Sequence, residues 1–180
     1  MNITFIIHLQ VKYLQGVSTD KVLINTKANV SGLEFSNYKV LRTNEFVYVA
    51  DTSRRGDKMV LAMNSAEPCI VSGIYTVFRI IRPKELLFEY LYLWFARLEF
   101  ERYSRFNSWG SAKETFDWED LCNVKLQIPD IEVQEAIVSI YHSLETRKRI
   151  YKQLKNKIKS HCPVLMKGVV ENLKTETVEN

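Results

Sequence analysis

The residues best equipped for chemistry sit in two polar segments. The first, Asp51–Lys58, reads DTSRRGDK, with Arg54 and Arg55 adjacent, Lys58 close behind, and Thr52 and Ser53 able to offer neutral hydrogen bonds. An arginine fork matches phosphate oxygens, and equally the O6/N7 edge of guanine in a major groove. The alternative is a solvated loop whose Asp51 and Asp57 neutralise its cations locally. The second segment, Ser104–Glu114, reads SRFNSWGSAKE and mixes Arg105, Asn107, Ser108, Ser111 and Lys113 with Phe106 and Trp109. Aromatic rings among basic and amide groups suit nucleic acid. They suit equally a loop pinned to a core by its tryptophan.

Nothing comparable supports catalysis. GxGxxG, GxxxxGK[ST] and GxSxG are absent, and His8, His142 and His161 share no spacing. Glu99/Glu101 and Glu119/Asp120 fall on a helix surface and at a helix start, where carboxylates solvate the face or complement the dipole. Cys69, Cys122 and Cys162 are odd in number, widely spaced and without a CxxC. They read as free thiols of a reducing cytoplasm rather than a disulfide framework or a zinc site. No catalytic residue and no metal ligand is expected. The first fifteen residues, MNITFIIHLQVKYLQ, read as a first strand rather than a signal peptide. No run approaches the roughly 20 apolar residues of a membrane span. A soluble, cytoplasmic protein with no membrane partner is the expectation.

The elements that must position the two segments follow from patterning. Up to Leu61 the chain offers short β-type runs separated by turn residues: Ile3–Ile7, Val11–Leu14, Val22–Thr26 and Phe46–Ala50, with a turn at Asn29–Gly32. Met59–Met63 returns to the core, and Ile70–Ile81 (IVSGIYTVFRII) is the strongest strand signal. Pro83 suits a first helical position. Leu87, Tyr90, Leu91, Trp94 and Leu98 then recur at steps of three and four, predicting a core-packed helix over 84–103. Asp117 is a plausible N-cap for a short turn of helix, and Lys125–Ile128 predicts a short strand before Pro129.

After Pro129 the character changes. From about Val133 to His161 there is no Gly or Pro. Ile137, Leu144, Tyr151 and Ile158 recur every seven residues, and Ile140, Arg147, Leu154 and His161 form the companion set. This is the a/d seam of a coiled coil. A helix of such length, on the order of 45 Å, needs a partner helix to cover it; Pro163 is expected to end or kink it. The alternative is a helix folded back on its own domain.

The net charge is +4 with a pI near 8.9. Residues 1–60 carry eight Lys/Arg against five Asp/Glu, and residues 132–162 seven against three. The stretch between, 61–131, has eight against ten. The basic excess is therefore split between the first third and the long helix, two places where a polyanion can dock.

Taken in order, these segments resemble the specificity (S, HsdS-type) subunit of type I restriction-modification systems. The series runs LQGVSTDKVLINTKANVSG, YKVLRTNEFVYVADTSRRGDKMVLAM, CIVSGIYTVFRI, LLFEYLYLWFARLEFERYSRF and GSAKETFDWEDLCNVKLQIPDIEVQEAIV. The last piece is similar to that family's Gly-Ser-x-Arg loop, Trp-x-x-Leu turn and Ile-Pro…Gln…Ile helix entry. Here those are Gly110, Ser111 and Lys113, then Trp118 and Leu121, then Ile128, Pro129, Gln134 and Ile137. Lys113 stands where the family often has Arg, keeping the charge but losing the fork. Asp130 departs from the frequent Leu-Pro-Pro wording. The chain also carries one recognition domain and one spacer helix where the usual subunit carries two of each.

The resemblance implies an α/β (α+β) target-recognition domain at 1–130 with a mixed or antiparallel sheet and helices. A spacer and dimerisation helix at 131–163 and a short continuation with a frayed tail at 164–180 would follow. It implies a non-catalytic subunit reading one half of a bipartite site on double-stranded DNA, without cofactor. Modification (methyltransferase) subunits would dock on it, and a second copy or second specificity half would pair through Ile137, Ile140, Leu144, Tyr151, Leu154 and Ile158. The expected DNA contacts are Arg54, Arg55 and Lys58 in the first segment and Ser108, Ser111 and Lys113 in the second. Lys21, Lys27 and Arg42 are expected on the phosphate side. The competing expectation is an interaction module that binds no DNA and recruits a protein through the helix.

Overall fold

A computed structural model of the protein describes residues 13–26, 35–52, 58–110 and 114–176. The strand expected at Ile3–Ile7 and the turn at Asn29–Gly32 lie outside the described residues. The chain divides into two compact units, Met1–Glu135 and Ala136–Asn180.

In the first unit the strands are β1 (Gln15–Val17), β2 (Leu23–Asn25), β3 (Lys39–Leu41), β4 (Phe46–Val49), β5 (Val60–Met63), β6 (Cys69–Val71) and β7 (Thr76–Phe78). They pair as β1–β2, β3–β6 and β5–β4–β7, every pair antiparallel, while a parallel bridge joins Leu14 to Ile70. With the helices below, this is the expected mixed α/β class.

The reading frame of β4 explains its composition. Successive side chains of a strand face opposite sides. Phe46 and Tyr48 enter one core with Met59, Leu61 and Phe100, while Val47 and Val49 enter a second with Val60, Ala62 and Val71. The strand is covered on both faces, so FVYV shows no polar alternation.

Three expectations ahead of the long helix need correction. The run Ile70–Ile81 is two strands, not one. A turn closed by Tyr75 N–H to Ser72 O at 3.1 Å separates β6, which pairs with β3, from β7, which pairs with β4. Gly73 permits it, since a Cβ there would sit 2.0 Å from the Asn37 carbonyl oxygen. Lys125–Ile128 joins no ladder; the Tyr90 hydroxyl donates to Gln127 O at 3.1 Å instead. The helix expected over 84–103 is α1 (Phe88–Phe95) followed by α2 (Leu98–Phe106). It starts late because Leu87 is extended and its N–H is taken by Gln134 Oε1 at 2.9 Å. It breaks because Arg97 is extended, with ψ of 148°. The break resets the helical face: Phe100 is buried, and Leu98, predicted in the core stripe, is 69% exposed.

The helix start at Asp117 is as expected. α3 (Trp118–Cys122) carries a capping box in which Asp120 Oδ2 accepts the Asp117 N–H at 3.3 Å. Gln134 lies at the start of α4 (Ile131–Glu176) and is fully buried. It satisfies three backbone groups, accepting from Leu87 N and donating to Glu85 O and Pro129 O at 2.8 Å each.

Over its 46 residues α4 traces about 70 Å. It continues through Pro163, where the expectation was a stop or a kink; the proline removes one N–H, the donor to Lys159 O, and helix follows on both sides. Along the seam Ile137, Ile140, Leu144, Tyr151, Leu154 and Ile158 are all exposed, at 39–70%. Among the described residues no helix is long and apolar enough to cross a membrane.

Candidate nucleic-acid interface

The two polar segments are far apart in sequence, yet their flanks share one edge of the first unit. The Thr52 N–H donates to Glu114 O at 3.1 Å, and its hydroxyl lies 3.0 Å from Ser108 Oγ and 3.2 Å from Glu114 O. Phe116 N–H donates to Ala50 O at 2.9 Å, and Asp51 bridges Thr115. The first segment therefore leaves β4 beside the residues on which the second returns. Hydrogen bonds both ways between Trp109 and Thr115, at 3.0 Å, close the base of the second segment. Inside that closure Gly110 has a φ of 136°, a conformation that only glycine adopts at low cost.

The other end of the first segment is clamped. Met59, directly after Lys58, donates its N–H to Glu101 Oε2 at 2.6 Å and accepts at its carbonyl from Lys21 Nζ at 2.8 Å. Lys21 and Glu101 are themselves ion-paired at 2.6 Å, with side chains 6% and 13% exposed. Charge, donor and acceptor are thereby all matched, as a buried pair requires. Lys21 holds a φ of 60° in the tight β1–β2 turn, where Ser18 N–H reaches Val22 O, and Tyr92 OH donates to its carbonyl. Lys21 is thus committed inside the protein rather than placed for a phosphate. Glu101 is not the solvating carboxylate that its sequence position implied. The signal for both is a contact across 80 residues, which local patterning does not carry.

α2 connects the two ends. Glu101 grips Met59, the Ser108 hydroxyl donates to Ser104 O at 2.6 Å, and Arg105 pairs with Glu114. Of the other expected DNA contacts, Lys58 is about half exposed and 3.8 Å from Asp20, and Ser108 is partly buried at the shared edge. Arg42 precedes β4 whereas the first segment follows it, so it lies at the opposite strand end, its exposed guanidinium 3.5 Å from Glu45. Arg54, Arg55, Ser111, Lys113 and Lys27 lie outside the described residues. Among the described residues no group of three His, Cys, Asp or Glu could hold a metal ion.

No curated protein matches the chain. A family model described as the type I restriction modification DNA specificity domain matches residues 10–160. The match spans both polar segments, the clamp and the exposed seam from Ile137 to Ile158.

Proposed function

The chain belongs to the type I restriction-modification DNA specificity domain family, and on that premise we propose that it reads one half of a bipartite DNA target as a non-catalytic subunit. The observation that carries this reading is the shared edge. Thr52, Ser108 and Glu114 bring the flanks of two cation-bearing segments together. Arg54, Arg55 and Lys113 are the base- and phosphate-reading candidates on those segments, with Lys58 at the end of the first. Arg42, at the opposite end of β4, and Lys27 are proposed for phosphate contact.

The exposed seam supports the second half of the reading. Two copies joining through Ile137, Ile140, Leu144, Tyr151, Leu154 and Ile158 would hold two reading heads at a fixed separation and make the site palindromic. Modification subunits would dock on this frame and supply S-adenosylmethionine and the methyl transfer to adenine.

Methylome sequencing of a host carrying the modification subunits, with and without this chain, tests the proposal. The expected result is adenine methylation at a two-part palindromic motif that appears with the chain and changes in Arg54→Ala/Arg55→Ala. No motif, or one indifferent to that double change, overturns the assignment. Light scattering at tens of micromolar is expected to give a dimer, and a strict monomer counts against the paired seam.

A further inference from the structure

Resting on the DNA reading above, we infer that the outward face of α2 is a reading surface in its own right, with Phe106 touching a base edge and Arg102 a phosphate. Leu98, Arg102, Arg105 and Phe106 stand at i, i+4, i+7 and i+8, one stripe of the helix. The inward face, Phe100 and Ser104, is buried, and this outward stripe is exposed, Phe106 to 84%. It lines a cleft of about 790 Å³ whose wall includes Tyr92 and Lys58. Lys58 ends the first polar segment, and Arg105 and Phe106 lie in the second, so the cleft opens between the ends of both.

Charge selects the occupant. Lys21, Lys58 and Arg105 each have an acidic partner, Glu101, Asp20 and Glu114. Arg102 is exposed and has none within 4.0 Å among the described residues. Of the charged groups on the cleft wall four are basic and two acidic, and with those three pairs set aside Arg102 is the charge left for a polyanion among the described residues. An exposed phenylalanine beside that arginine needs an apolar partner on the same polyanion. The apolar group that a duplex presents in its major groove is the thymine methyl.

The test is selection from a randomised duplex pool, using the chain assembled with its modification subunits. Wild type is expected to enrich a motif with a required thymine. Phe106→Ala should lose information at that position while keeping the salt dependence, and Phe106→Leu should retain most of it. Replacing that thymine by deoxyuridine should weaken wild-type binding about fourfold and leave Phe106→Ala binding unchanged. Arg102→Gln should weaken all sequences alike and lower the salt slope by about one. Both side chains are exposed, and unchanged melting of the variants confirms folding. If Phe106→Ala enriches the wild-type motif and responds to deoxyuridine as wild type does, the inference is wrong and the DNA reading stands. If wild type enriches no motif, the DNA reading itself fails.

Discussion

Lys21–Glu101 in the first unit and Lys148–Glu145 in the second join the same two functional groups at nearly the same distance, 2.6 and 2.8 Å. They do different work. The first pair is buried and completed by the N–H and carbonyl of Met59, so neither charge is left without partners. The second is an i,i+3 pair on a helix surface, with side chains 61% and 45% exposed. There, hydrogen bonding to Glu145 raises the Lys148 ammonium above its usual range, but water and salt screen the attraction. One region uses polar chemistry to fix a backbone; the other uses it to keep a rod in water while its apolar seam stays uncovered.

The sharpest way to break this comparison is to remove the lysine from each pair. Lys21→Met leaves Glu101 buried and uncompensated, and is expected to cost about 3–5 kcal/mol. Lys21→Met/Glu101→Leu should recover only the part of that loss due to the unpaired carboxylate, because the Met59 N–H and carbonyl still lose their partners. Lys148→Met should not move the unfolding midpoint. Denaturant titrations of the three variants check this; if Lys21→Met and Lys148→Met are indistinguishable, the clamp does not hold the fold.

What patterning reveals divides along the same line. β4 and β5, the Asp117 cap and the long helix were legible because each is written in neighbouring residues: an apolar run, a capping pair, a heptad. The clamp was not, since Lys21, Met59 and Glu101 meet only after folding. The 84–103 helix was misread for a related reason. Of its three-and-four stripe, Leu91 and Trp94 pack on the core, where Phe95 joins them, but Arg97 breaks the helix and turns Leu98 outward. The split of Ile70–Ile81 needed Asn37 to show that Gly73 is a point of close approach. Of the candidate site, the two polar segments were visible in the sequence; their shared edge, made by Thr52, Ser108 and Glu114, was not.

A gentler probe of the same contrast uses glutamine. Gln134 is fully buried and satisfies Leu87 N, Glu85 O and Pro129 O, tying the start of α4 to the approach to α1. Gln134→Ala strands those groups and should cost about 2–3 kcal/mol. Gln153 is exposed on the rod, and Gln153→Ala should stay within about 0.5 kcal/mol. Thermal melts decide the matter, and equal shifts would mean that Gln134 is replaceable by water.

The smallest effect is expected from pH. Cys69 is buried and its thiol is pushed up to about 11 by burial. Burial chiefly pushes the Tyr48 phenol up to about 12, with Asp117, Cys122 and Asp120 adding to the rise and Thr76 opposing it. Both groups are neutral when protonated, so the native state keeps protons that the unfolded chain releases first. Their contribution is complete below about pH 9 and 10, the unfolded values, and is lost as pH rises through 11 and 12. Stability measured by denaturant at pH 8, 9.5 and 10.5 should therefore fall, with Cys69→Ala falling less steeply than wild type. Cys162, exposed on the rod, should alkylate in the native protein at pH 8, and Cys69 only on unfolding. Equal alkylation rates at the two thiols would show that the head opens as freely as the rod's surface, and the distinction between a closed unit and an uncovered one would fail at its simplest point.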